Sequence, residues 1–388
     1  MTYGHWHYPT EIIAREGCTN KLADYCRNTG IHRPLLITDH ELAETKMVRN
    51  IISGCCEADL PVELFSHIQS NPTGANVEAG IKHFVDGRHD GIIALGGGSS
   101  IDVAKAVALV ARQAFPLWDF VHQDENWQKA DPEQIAPVIA IPTTAGTGSE
   151  VGRASIIKDE LEHKKKIIYH PKMMPKLVLL DPVLTLDLPP ELTAATGMDA
   201  LSHSLEALCT HTFHPMSDAI ALESMRIISH YLPVAYMEGQ NLNARFEMQI
   251  AACMAATAFQ KGVGATHALS HTLGAIYNKH HGLLNAILLP YVLSANKDHI
   301  NEKMIRMGRY LALPRPDFHA VMAWLLSLRT ELNIPHTLAA IDIDSKEAER
   351  IGEIAASDPS AASNPIHFTA EQYAEIFTNA VKGTLIYQ

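Results

Sequence analysis

The sequence predicts a two-part chain: an α/β half with a mostly parallel, buried sheet over residues 1–187, then an all-helical half over residues 188–388. Three observations predict it. Short apolar runs alternate with amphipathic stretches through the first half, which is the pattern of βαβ units. Two of those runs end in glycine-rich loops, GGGSS and AGTGS. After Asp187, Pro189 and Pro190 the pattern becomes helical and no strand alternation follows. A ligand cleft is expected between the two halves.

The elements follow in order. PLLITD (34–39) reads as a strand ending in a turn, and ELAETKMVRNIISGC as a helix. VELFSH (62–67) is a strand and residues 75–86 are helical. GIIALGGG (91–98) is a strand and loop leading into the helical SIDVAKAVALVARQ. APVIAIPTT (136–144) and PKLVLLDP (175–182) are further strands. Such continuous apolar runs suit strands buried on both faces. In the second half, LPPELTAATGMDALSHSLEALCT starts on Pro-Pro and runs as helix.

Composition narrows the function. With 388 residues, 47% hydrophobic and 19% charged, the chain has a globular composition and length for a real core. A net charge of −12 argues against a nucleic-acid partner or an anionic membrane surface. The best membrane candidate, LLNAILLPYVLSA (283–295), is short and holds Asn285 and Pro290, so no membrane span is expected. Lys164, Lys165 and Lys166, beside Asp159, Glu160 and Glu162, read as a solvated turn for two of the three lysines. Six cysteines include no C-x-x-C, and adjacent Cys55 and Cys56 suit neither a disulfide nor a zinc clip. Reduced thiols in a cytoplasmic enzyme are the expectation. MTYGHWHYPTE lacks the features of a signal peptide.

Strand, three glycines, two serines and a helix in GIIALGGGSSIDVAKA point to anion binding. Glycines let the backbone turn sharply and approach a ligand, and the helix N-terminus favours negative charge. Ser99 is expected to cap that helix, with Asp102 completing a capping-box-like pattern. The second loop offers the hydroxyls of Thr143, Thr144, Thr147 and Ser149. Asp39 closes the first strand, where dinucleotide folds place an acidic ribose partner. It precedes the glycine loop instead of following it, so on the residues alone it reads as a turn-opening Asp.

In MDALSHSLEA (198–207), Asp199 and His203 stand four apart and share a helix face. A buried Asp–His hydrogen bond would use the same two residues, and the chain has 22 histidines. A second stretch, ATHALSHTLGAIYNKHHGLLNA (265–286), adds His267, His271, His280 and His281. His280-His281-Gly282 reads as a helix end, with Gly as terminator and possible close-approach residue. Asp199, His203, His267 and one of the last pair would make one carboxylate and three imidazoles, a set for Fe(II) or Zn(II) with an open position for a substrate oxygen.

MDALSHSLEA, GGGSSID, PTTAGTGSE and GATHALSH…HHGLLNAILLPYV resemble the iron-containing alcohol dehydrogenases, in order and over nearly the whole chain. The resemblance implies a Rossmann-like N-terminal domain and a helical C-terminal domain. It implies metal ligands at Asp199, His203, His267 and His281, the last because the family's ligand immediately precedes a Gly. It implies a proton-relaying His at His271. Gly97, Gly98 and Ser99 match the pyrophosphate loop, Thr143, Thr144 and Thr147 match residues lining the cofactor, and Lys165, the middle of three lysines, lines up with a cofactor-side lysine. Asp39 matches the acidic residue of NAD-preferring members, which implies NAD over NADP. FQKGVGATHA (259–268) and Arg153 depart from the family's commoner pattern near the substrate. A surface or structural arginine is the better reading of Arg153, and pairing with a substrate carboxylate is the alternative.

The resemblance implies a metal- and NAD-dependent alcohol dehydrogenase or aldehyde reductase for a small alcohol, assembled as a homodimer or larger homo-oligomer. The rivals are a zinc glycerol dehydrogenase-like or dehydroquinate synthase-like enzyme of the same fold, or a non-catalytic metal- or nucleotide-binding protein.

Overall fold

A computed structural model describes Trp6, Thr10–Glu162 and Lys164–Ile386. Apart from Trp6 and Thr10, the residues before Glu11 lie outside it. The described residues form two compact units, one ending at Asp187, the other running from Leu188 and including Trp6.

The first unit opens with β1 (Glu11–Ala14), α1 (Leu22–Asn28), β2 (Pro34–Ile37), α2 (His40–Ala43) and α3 (Lys46–Glu57). It continues with β3 (Glu63–Phe65), α4 (Gly74–Asp86), β4 (Gly91–Gly96), α5 (Gly98–Val110) and β5 (Val138–Pro142), and closes with β6 (Ala154–Asp159), β7 (Lys164–Tyr169) and β8 (Leu177–Leu180). Six strands form one sheet in the order β1-β8-β5-β4-β2-β3, every pairing parallel. Alternate residues feed opposite faces: Leu35, Ile37, Ile92 and Ala94 join one apolar cluster with α4 and α5, and Leu36, Ile93, Leu95 and Leu179 join another with α1 and α3. A sheet covered on both faces explains the unbroken apolar runs.

Four local readings change. The single helix expected after β2 is two, because Thr45 caps α3 with its own side chain, breaking the run. The triple lysine is no turn: it opens β7, paired antiparallel with β6. The expected Ser99–Asp102 capping box does not form. Gly97 is the N-cap of α5, and Asp102 turns inward, accepting from the Ser149 hydroxyl and, at 2.9 Å, from the Ile156 N–H. With buried Lys105, whose Nζ donates to the Ser149 carbonyl at 2.9 Å, it fastens α5 to the segment entering β6.

The second unit is helical: α6 (Pro190–Cys209), α7 (Pro215–Met237), α8 (Leu242–Ala258), α9 (Ala265–Tyr277), α10 (His281–Tyr310), α11 (Phe318–Glu331), α12 (Ala348–Ala356) and α13 (Ala370–Lys382). No helix among the described residues is long and apolar enough to cross a membrane. The fourth change lies here. Gly282 terminates nothing: α9 ends on Asn278 in the left-handed region, His280 caps α10, and His281 is its first residue.

Gly282 instead sets the crossing of α10 on α6. A Cβ placed there would lie 2.4 Å from the Ala195 carbonyl oxygen and 3.1 Å from the Asp199 Cβ. Backbone cannot yield as a side-chain tip does. Gly282→Ala is therefore expected to cost about 1–3 kcal/mol by overpacking. The check is a lowered midpoint in denaturant unfolding, and an unchanged midpoint would show that the crossing has slack.

Candidate metal centre

Three helices converge on one polar cluster inside an apolar unit. Asp199 and His203 lie on consecutive turns of α6, His267 is the third residue of α9, and His281 is the first of α10. Ligand atoms of Asp199, His203 and His267 all lie within 4.8 Å of one another. Asp199 Oδ1 is 3.9 Å from His203 Nε2 and 3.8 Å from His281 Nε2. The His203 and His267 rings stack with centroids 4.7 Å apart. Burial pushes the His203 pKa down to about 4 against the pull of Asp199, so its ring is neutral.

Glu206, seven residues after Asp199 on the same helix, organises the cluster. Its carboxylate accepts from His267 Nδ1 at 2.6 Å, and from the Gly264 and Thr266 N–H groups at 2.9 and 2.7 Å. One side chain thus satisfies the start of α9 and fixes the tautomer of His267. Burial alone would raise the Glu206 pKa, but the His267 contact and the N–H donors hold it below its ordinary value. Burial would lower that of His267, and Glu206 outweighs it and holds it up. The Ser270 hydroxyl donates to the His267 carbonyl and lies 3.2 Å from His281 Nδ1. That contact leaves His281 Nε2 as the lone-pair nitrogen.

A divalent ion fits this arrangement. A carboxylate oxygen and imidazole nitrogens point at one region, two tautomers are fixed with Nε2 inward, and no thiol intrudes. His203 Nδ1 and Asn285 Oδ1 are buried polar atoms without hydrogen-bond partners among the described residues.

His271 stands beside the cluster, its ring stacked on His281 with centroids 5.2 Å apart. Its Nδ1 lies 3.2 Å from Asp358 Oδ2. Burial works to raise the Asp358 carboxyl, yet His271 and Ser360 hold it below its ordinary value.

The first unit gathers the other expected residues at carboxyl ends of strands. β2 and β4 are neighbours from which the chain departs in opposite directions, toward β3 and toward β5. That is a topological switch point, where α/β sheets bind ligands. Asp39 follows β2, Gly96 ends β4, and Gly97 and Gly98 follow it. Asp39 Oδ1 caps α2 by accepting from Leu42 N–H at 2.9 Å, and its Oδ2 receives the Ser100 hydroxyl at 3.3 Å. The glycines differ in their reasons. Gly96 has φ 140°, where side chains are strained, and a Cβ on Gly98 would lie 2.6 Å from the Thr147 hydroxyl. The Thr143 N–H donates to the Gly96 carbonyl at 3.0 Å, and Thr144 abuts Gly97. Both glycine-rich loops therefore form one surface at the N-terminus of α5. Ser99 lies there too, donating to the Ser70 carbonyl.

Lys165 lies in β7 opposite Lys158. Lys166 pairs with Asp159 and Glu162 at 2.8 and 2.9 Å, which leaves Lys165 on the strand's other face. Lys261, in the stretch expected near the substrate, is buried with Nζ 2.5 Å from Asp218 Oδ1 and serves structure. Arg153 directly precedes β6 and has no carboxylate partner among the described residues.

Reading the sequence missed Glu206, Asn285, Asp358 and Ser270. Two left a signal: Glu206 extends Asp199 and His203 as i, i+4, i+7, and Asn285 follows His281 at i+4.

Residues 9–182 match the model of a family described as iron-containing alcohol dehydrogenase. Residues 193–381 match that of the Fe-containing alcohol dehydrogenase family, C-terminal. The chain is 34% identical over 385 residues to the 4-hydroxybutyrate dehydrogenase of Cupriavidus necator, covering 97% of this chain and 99% of that one. It is 32% identical over 381 residues to the NAD-dependent methanol dehydrogenase of Bacillus methanolicus, covering 96% and 98%. Its fold is similar to the crystal structure of a 1,3-propanediol oxidoreductase, with TM-score 0.91, 29% identity, and coverage of 97% and 100%.

Proposed function

We propose, from the premise that this chain belongs to the iron-containing alcohol dehydrogenase family, that Asp199, His203, His267 and His281 hold one divalent ion, Fe(II) or Zn(II), and that NAD is the hydride carrier. The chain is an alcohol dehydrogenase, an oxidoreductase acting between alcohol and aldehyde. The observation that carries the metal reading is the convergence of a carboxylate and imidazole lone pairs whose tautomers Glu206 and Ser270 fix.

When bound, the ion would supply Lewis acidity toward the substrate oxygen, easing loss of the hydroxyl proton. NAD would supply the acceptor for the hydride leaving the carbinol carbon. The protein's own contributions are positional and protonic. Glu206 and Ser270 present ligand nitrogens without reorganisation. His271 donates Nδ1–H to Asp358, so its Nε2 is an acceptor for the released proton, and the Asp358 carboxylate stabilises the resulting imidazolium. The ring is 12% exposed, enough to pass that proton to solvent. In the first unit, the N–H groups opening α5 favour the pyrophosphate, the threonine loop and Lys165 line the carrier, and Asp39 takes the ribose hydroxyls. A cytoplasmic homo-oligomer completes the proposal, the location supported by six cysteines that form no disulfide among the described residues.

The test strips metal with a chelator, restores Fe(II) or Zn(II), and follows NADH formation with ethanol, 1-butanol, 1,3-propanediol and 4-hydroxybutyrate. Turnover of at least one alcohol, only in metal-loaded protein, is the expected result. A preference for 4-hydroxybutyrate over 1-butanol would favour the carboxylate-pairing reading of Arg153. Bound metal and NAD with no turnover of any alcohol or aldehyde would overturn the proposal in favour of the lyase or binding-protein readings.

A further inference from the structure

Asn285 stands one turn after His281 on α10 and is fully buried. Its Nδ2 lies 2.7 Å from Asp199 Oδ1 and 3.2 Å from both His267 Nε2 and His281 Nε2. Chemistry dictates that the amide nitrogen, not the oxygen, faces this point. Glu206 and Ser270 hold the Nδ1 atoms of the two rings, so both Nε2 atoms carry lone pairs. The Asp199 oxygen also only accepts. An amide oxygen turned inward would face three acceptors, whereas the nitrogen brings two N–H donors. The consequence shows at the other end of the amide, where Oδ1 is buried with no partner among the described residues. Leaving an acceptor orphaned is unfavourable unless the donor end gains more.

We infer that Asn285 is a positioning residue of the metal centre, whose side-chain amide holds the ligand lone pairs convergent while no ion is bound and releases them when one binds. The inference rests on the metal reading above. It follows because an imidazole Nε2 has one lone pair, so an N–H donor and a cation compete for it. A group that stabilises only the metal-free form weakens apparent metal affinity by that amount. In exchange, three mutually repelling acceptors stay aimed at one point in a buried cavity. A residue that merely filled space would stabilise both forms alike.

The experiment uses the full chain, stripped of metal, as wild type, Asn285→Ala and Asn285→Ser. Zn(II) affinity is measured by competition with a chromophoric chelator, and melting temperature with and without Zn(II). Metal-free Asn285→Ala is expected to melt about 3–5 °C below wild type, with the Zn-loaded proteins closer together. Its Zn(II) dissociation constant is expected to be about tenfold tighter, with Asn285→Ser between the two. If Asn285→Ala does not fold, Asn285→Ser, which keeps a hydroxyl donor, carries the same comparison. Equal loss of stability in both forms would overturn the inference, and so would weaker Zn(II) binding in the variants. A wild type that takes up no Zn(II) would sink the metal reading itself. A wild type that binds it, with variants indistinguishable, would sink only the role of Asn285.

Discussion

His267→Ala is expected to purify folded, retain less than about a tenth of a divalent ion per chain, and lose alcohol turnover at least about 10³-fold, roughly 4 kcal/mol of barrier. The metal loss follows from position. His267 opens α9 with Nε2 turned inward, and its neighbours on the site come from two other helices. The other imidazole on α9, His271, does not fill its place, because its Nδ1 is engaged by Asp358 and its ring lies one helical turn on, edge to that of His267 with centroids 5.9 Å apart. The fold should survive. Glu206 loses the ring but keeps the Gly264 and Thr266 N–H donors, so its buried charge is not left bare. Glu206→Gln separates ligand from support. The amide oxygen can still accept the Nδ1–H, but the charge is gone, so metal affinity should fall about 10–100-fold while stoichiometric loading remains reachable. The measurements are elemental analysis and NADH formation on the same samples. Stoichiometric metal in folded His267→Ala would remove His267 from the ligand set.

Much of this organisation was legible because it is periodic. Strands buried on both faces leave continuous apolar runs, so β2, β4, β5 and β8 could be read directly. The hairpin of β6 and β7 could not. Its lysines and its half-buried faces give no apolar run, and its partner is the other strand and not the main sheet. The four ligand candidates were visible through helical spacing and a long motif. The residues that orient them were not legible in the same way, although Glu206 sits inside the same ten-residue motif. A carboxylate three residues after a histidine is common on solvated helix faces. Burial beside the start of α9 is what turns it into an orienting group, and burial is a tertiary fact. The terminator reading of Gly282 failed for the same reason, while its reading as a close-approach residue held. Its purpose is the closeness of the Ala195 carbonyl on another helix, which nothing in HHG records. The capping reading of Ser99 failed because Gly97 already enters α5 in extended backbone and Asp102 has stronger partners inward.

Asp39→Gly is expected to shift the ratio of kcat/KM for NAD over NADP by about 100-fold toward NADP, near 2.7 kcal/mol. Two effects add. The carboxylate stands at the switch point beside the glycine loop, where a 2′-phosphate would meet it with like charge, a repulsion of several kcal/mol in close contact. Removing it would also delete the hydrogen bonds proposed to the ribose hydroxyls, each contributing about 0.5–1.5 kcal/mol. NAD use should therefore fall as NADP use rises. Asp39 also caps α2, and that role must be kept apart from the electrostatic one. Glycine at an N-cap loses only a few tenths of a kcal/mol, and α2 is a single turn, so the variant should unfold close to wild type. Asp39→Asn provides the second arm. It preserves the cap and the Ser100 contact while removing the charge, so it should recover part of the shift with no change in stability. If both variants keep the wild-type ratio, Asp39 is a helix cap alone and the cofactor's ribose is recognised elsewhere. If Asp39→Asn shifts the ratio while its melting temperature is unchanged, the charge itself selects the carrier.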